Sequence, residues 1–147
     1  MTPTARLTIV LVASIGLIGS LAAQDRGKTE KPVPRVIRLN PSSPDSMDIF
    51  TGPPSTYGMH SGYMVLAPTK SVGKHSTRDN EEVLIVLAGH GELRIEGGPA
   101  LSLAPYEVSY CPPHTEHHVV CSGPDTLRYI WILARTAGHR GEQTVGR

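Results

Sequence analysis

"HSTRDNEEVLIVLAGHGELRIEGG", His75 to Gly98, is the stretch that decides the fold. A histidine opens it, two glutamates follow, and the apolar run "VLIVLA" ends on the Gly89-His90-Gly91 turn. "ELRIEGG" then alternates polar and apolar residues. The pattern predicts a strand, a turn and a second strand that returns as its hairpin partner. By the two-residue period, Glu82 shares a face with Leu84, Val86 and Ala88, while Glu81 faces the other way. If the Glu82 face is interior, a carboxylate is buried there. That is costly without a cation or several hydrogen-bond donors.

Working outward, short apolar runs alternate with turn signals. "VIRLN" (36–40) is expected to be a first short strand, and "PSSPDSMDIFTGPPSTYG" (41–58) a turn-rich loop wrapping the core. "SGYMVLAP", "PALSLAP", "EVSYCPP", "EHHVVCSG" and "DTLRYIWILAR" supply further strands. No stretch outside the first 23 residues has 3.6-residue periodicity over a helical length. Several short strands at regular spacing predict an all-β sandwich or barrel. "VLIVLA" and "YIWILA" are apolar on both faces, so both faces need cover. A homodimer packing sheet on sheet is one way to provide it.

The bulk numbers limit function. A chain of 147 residues suits one domain. A formal net charge of +1, with basic residues scattered, gives no field for nucleic acid. Residues 1–23 follow a secretory signal pattern: Arg6, the apolar run Leu7 to Ile18, then small residues up to Ala22 and Ala23. The run is shorter than the roughly 20 residues of a membrane span, so no stable span is expected after cleavage. An uncleaved anchor is the alternative. The chain is therefore expected to be exported, to the periplasm or beyond. Residues 24–35 then form a flexible lead-in, 36–137 the barrel and 138–147 a flexible tail. In an oxidising compartment, Cys111 and Cys121 are either a disulfide or two small buried thiols.

Three residues stand out as metal donors: His75, Glu82 and His117. Two imidazoles and one carboxylate form a facial set that suits Fe(II), Mn(II) or related divalent ions and leaves positions open. His117 begins "HHVVC" on a face shared with Val119 and Cys121, after a turn stiffened by Pro112 and Pro113. His118 faces outward, His90 sits solvated in a turn, and His60 reads as surface rather than pocket. Tyr110, Trp131 and Met64 read as core or cavity wall.

These stretches resemble the two motifs of the cupin superfamily. In the first, His75 is followed by Thr77 in the second histidine's place, then four residues, Glu82, six residues and Gly89. In the second, Pro112 is followed by His114 in the glycine's place, His117, and Cys121 in the asparagine's place. The resemblance spans about Val36 to Arg135. It implies a double-stranded β-helix, or jelly-roll barrel, with a divalent metal (Fe, Mn or Zn) held by His75, Glu82 and His117. Thr77 is a poor ligand. Its expected role is to hydrogen-bond a metal-bound water or the Glu82 carboxylate. His114 would reach the cavity mouth as a fourth ligand or acid/base group, or else cap the turn.

Three functions fit this pattern. The first is a metal-dependent enzyme on a small oxygenated substrate. The second is a non-catalytic module binding a small ligand, with weak metal or none. The third is a bare structural domain whose site has decayed.

Overall fold

A computed structural model describes residues 31–136. The proposed signal segment, residues 24–30 of the lead-in and the whole of the tail lie outside them. Nine strands and no helix make up the described chain: β1 (Met47–Thr51), β2 (His60–Leu66), β3 (His75–Ser76), β4 (Asn80–Ala88), β5 (Gly91–Ile95), β6 (Ala100–Leu103), β7 (Val108–Cys111), β8 (Glu116–Cys121) and β9 (Leu127–Arg135). They form two antiparallel sheets, one ordered β1-β2-β9-β4-β7 and the other β3-β8-β5-β6. The all-β barrel expected from the sequence is therefore present, as a double-stranded β-helix.

The core lies between the sheets. Leu84 and Val86 of β4 and Leu127 and Tyr129 of β9 face Leu93 of β5 and Val119 and Cys121 of β8. Each strand contributes alternate residues, as the two-residue period requires.

Three local expectations need correcting. Residues 36–40 are not a strand. The edge strand β1 lies instead at 47–51, inside the stretch expected to be loop, and its register against β2 shifts between Asp48 and Phe50. β4 and β5 are not a hairpin: β4 pairs with β7 and β9, and β5 pairs with β6 and β8. The Gly89-Gly91 corner carries the chain from one sheet to the other. Gly89 has φ +75°, and a Cβ there would overlap the Thr126 carbonyl oxygen and lie 2.7 Å from Leu127 Cα. Finally, Ala88 does not share the Glu82 face. The register slips between Val86 and Ala88, so Ala88 pairs with Arg128 while Val86 pairs with buried Tyr129. Such a bulge inserts one residue and flips all that follow it.

The outer face of the larger sheet, with Val83, Ile85, Ile130 and Ile132, is partly exposed in the single chain. Cys111 and Cys121 are buried and free, so the bridged alternative is not what the fold contains.

Candidate metal centre

His75 and His117 are paired residues across the β3–β8 ladder, so their side chains project side by side from one sheet. Their ring centroids lie 4.5 Å apart. Glu82, on β4 of the opposite sheet, faces them: its Oε2 is 2.9 Å from His117 Nε2 and 3.9 Å from His75 Nε2. One donor atom from each of the three residues falls within 4.8 Å of the others. The sequence grouping is thus also a spatial grouping, at one end of the barrel, bridging the two sheets. Glu82 and His117 are buried, while His75 is more open.

Hydrogen bonding fixes the tautomers. His117 Nδ1 is 3.2 Å from the Thr115 carbonyl and His75 Nδ1 is 2.8 Å from the Gly73 carbonyl. A carbonyl can only accept, so each Nδ1 carries the proton and donates it. In the neutral rings, both Nε2 atoms then carry their lone pairs beside a carboxylate oxygen. His117 Nε2 and Glu82 Oε2 are in contact, yet they are not aligned as donor and acceptor, and each is buried without a hydrogen-bond partner. Native interiors rarely leave two such atoms unsatisfied. A proton, a cation or a donating water would relieve this arrangement.

The proton is the weaker remedy, but it leaves a mark. The adjacent Glu82 carboxylate raises the His117 pKa above the ordinary imidazole value, and burial pulls the other way. In the metal-free protein, this pairing contributes its full stability below the unfolded histidine pKa. The contribution disappears as pH rises through the raised folded value. Burial, followed by the Glu82 charge, pushes the Cys111 thiol up to about 11. It therefore stays protonated near neutrality and does not compete as a thiolate ligand.

Thr77 takes a different role from the one expected, and His114 the second of its two. Strand β3 ends at Ser76, and Arg78 adopts φ +52°, so Thr77 leaves the strand's alternation. Its buried hydroxyl donates to the Pro112 carbonyl at 2.8 Å and accepts from the Thr115 amide at 3.0 Å. It braces the Pro-rich turn that carries His117 rather than facing the metal donors. Removing it would strand both of these backbone groups. Thr77→Val is expected to cost about 2 kcal/mol by that route, read as a lowered midpoint in urea unfolding. Thr77→Ser should retain most of the stability. His114, at φ +58°, sits on an exposed turn with its Nε2 3.5 Å from Asp79 Oδ1. It caps the turn and does not join the site. Tyr110 is also not wall: it is half-exposed on the outer face, and its hydroxyl donates to Glu81 at 3.1 Å.

A cavity of about 270 Å³ adjoins the three donors, walled by Met64, Val72, Val119, Tyr129, Trp131 and Leu133. Met64 and Trp131 belong to this wall, as expected. Val72 and Leu133 were not singled out from the sequence, although Leu133 has the same inward parity on β9 as Tyr129 and Trp131. Such a mostly apolar pocket with a few convergent polar atoms is the usual form of a small-molecule site.

Comparison with known proteins agrees with the fold. The Cupin domain family model matches residues 62–133. A cupin 2 conserved barrel domain protein from Salinispora arenicola superposes with a TM-score of 0.59 at 20% identity, covering 71% of this chain and 92% of its own. An RmlC-like cupin family protein with a double-stranded β-helix fold from Methanocaldococcus jannaschii gives 0.59 at 15% identity, covering 71% and 94%. A chain from the DMSP lyase structures RdDddP and RnDddQII gives 0.53 at 20% identity, covering 66% and 49%. No curated protein sequence matches the chain.

Proposed function

Since residues 62–133 of this chain are a cupin domain, we propose that the barrel holds one divalent metal ion on His75, Glu82 and His117 and presents it to a small oxygenated ligand. One observation carries the proposal: two Nε2 lone pairs and a buried carboxylate oxygen converge with no hydrogen-bond partner for the buried pair. The backbone carbonyls of Gly73 and Thr115 orient the rings for that role, as outer partners of metal-bound histidines do. Two nitrogens and one oxygen suit iron, manganese or zinc. A bound ion would polarise an oxygen of the ligand as a Lewis acid.

Whether the site turns substrate over is a further step. The enzyme reading gains a precedent in fold from the DMSP lyases, no more. The binding-module reading is favoured by a specific feature of the wall. Among the described residues, and apart from the three donors, Tyr129 is the cavity's only ionisable lining residue. Burial first, and the Glu82 charge second, raise its pKa far above the ordinary phenol value, which makes it a poor proton carrier. A decayed structural domain is disfavoured, because decay would release buried polar atoms from any need to converge.

Export rests on the pattern of residues 1–23, and the homodimer on the apolar outer face around Val83, Ile85, Ile130 and Ile132. Both are part of the proposal. Among the described residues no helix is long and apolar enough to cross a membrane.

The test is metal uptake by the purified, untagged protein as a function of pH. One ion per chain is expected at pH 8. Uptake should fall as pH drops through the raised His117 pKa, starting above the ordinary imidazole value of about 6.5, because proton and metal compete for the same nitrogen. Uptake that ignores pH between 8 and 5, or no uptake at all, would count against the proposal.

A further inference from the structure

A second cavity, of about 650 Å³, lies at the same end of the barrel. Its wall includes His60, Arg78, Asp79 and Arg135, together with Trp131 and Leu133. The last two also wall the cavity beside the metal donors, so the two cavities are neighbours across those side chains. The Trp131 indole is seated on the bare backbone of Gly62, where an added Cβ would lie 2.5 Å from Nε1. The shared wall is therefore a fixed aromatic face, not a mobile chain.

The inner cavity is apolar except at its donors. The outer one is rimmed by cations. Arg78 and Arg135 carry permanent charge, and among the described residues neither has a carboxylate within ion-pair distance. Asp79, the only acid of the rim among the described residues, has its carboxylate 3.5 Å from His114. The backbone beneath both arginines is held in place. The Arg78 carbonyl accepts from the His114 amide at 2.7 Å, and the Arg78 amide donates to Ser76 Oγ at 3.1 Å. Arg135 is the ladder partner of Asn80, and the next residue, Thr136, donates its amide and its hydroxyl to the Asp79 carbonyl at 3.1 and 2.8 Å. An exposed arginine is most often a solvated face. Two unpaired arginines on one rim, next to an aromatic wall and a cavity of ligand size, are a less ordinary combination. The guanidinium fork matches a carboxylate, which it can hold bidentately.

We infer that Arg78 and Arg135 form an anion subsite at the mouth of the metal cavity, and that the protein's ligand is a small carboxylate. Its charged end pairs with the two guanidiniums, His60 adds a third donor, and its other, oxygen-bearing end reaches past Trp131 and Leu133 toward His75, Glu82 and His117. The metal-facing half of this assignment rests on the function proposed above. The arginine half does not.

Trp131 is the chain's only tryptophan, so its fluorescence reports on the shared wall. The probes are 2-oxoglutarate and 2-oxohexanoate, which share an oxo-acid end and differ in the charge at the other. Each is titrated against the metal-free and the zinc-loaded protein, zinc being a closed-shell ion that does not quench by itself. 2-Oxoglutarate is expected to bind about tenfold tighter at low ionic strength, and the advantage should shrink with salt. The double variant Arg78→Gln, Arg135→Gln should lose the advantage, yet keep wild-type zinc content. Equal affinities in the zinc-loaded wild type, no binding of either probe, or a charge preference that survives the double variant would overturn the inference. A preference that needs the arginines but gains nothing from zinc upholds the subsite and counts against the metal centre. Binding strengthened by zinc with no dependence on the arginines does the reverse.

Discussion

Glu82→Met is expected to strip the protein of its metal while leaving it folded, with a thermal midpoint at or above that of the metal-free wild type. Glu82 supplies the only anionic donor of the three, so divalent affinity should fall at least about a hundredfold; losing an outer partner of a ligand already costs 10–100-fold. Stability should move the other way. Glu82 is buried between Cys111 and Leu133 on the neighbouring strands, and its charge is desolvated there. Replacing a buried charge by an apolar side chain of similar volume is often neutral or stabilising by about 1–4 kcal/mol. His117 can follow by becoming neutral, since its Nδ1 keeps the Thr115 carbonyl. Calorimetric unfolding and metal analysis of the same sample check both halves. Lost metal with a large drop in midpoint would mean that Glu82 is there for the fold.

Gly89→Ala should do the opposite: damage the fold and touch no ligand. The position is left-handed, which costs a non-glycine residue about 1–2 kcal/mol. The new methyl would also meet backbone atoms of Thr126 and Leu127, which cannot swing aside. Overpacking of that kind adds about 1–3 kcal/mol. A total of about 2–5 kcal/mol is a large part of a domain's stability. The expected outcome is a urea midpoint shifted far down, or a protein that does not accumulate. A midpoint within error of the wild type would show that the corner relaxes more easily than its geometry implies.

Gly89 also shows where the sequence could be read and where it could not. The glycine itself was visible as a turn residue, and strands β4 and β5 on either side of it were placed closely. A turn signal, however, says only that the chain changes direction. Whether it returns alongside β4 or crosses to the other sheet is decided by β8 and β9, which are distant in sequence. The bulge at Leu87 is likewise a property of the pairing with β9. The grouping of His75, Glu82 and His117 was legible because their spacing and strand parity are local. His75, Glu82 and His117 all face inward as the two-residue period predicts. Thr77 was misread because that period was extended past the end of β3: the left-handed turn at Arg78 redirects it to Pro112 and Thr115. The mouth cations gave no sequence signal, since Arg78 and Arg135 are 57 residues apart and reach one cavity rim only because Arg135 pairs with Asn80 in the β4–β9 ladder.

The central claim is that three side chains from two sheets share one ion. Crystals of the protein grown with manganese, and measured for anomalous scattering, test it most directly. The account predicts a single strong peak bonded to His75 Nε2, His117 Nε2 and a Glu82 carboxylate oxygen. A well-ordered site with those side chains in place and no peak between them, or a peak held by other residues, would contradict it.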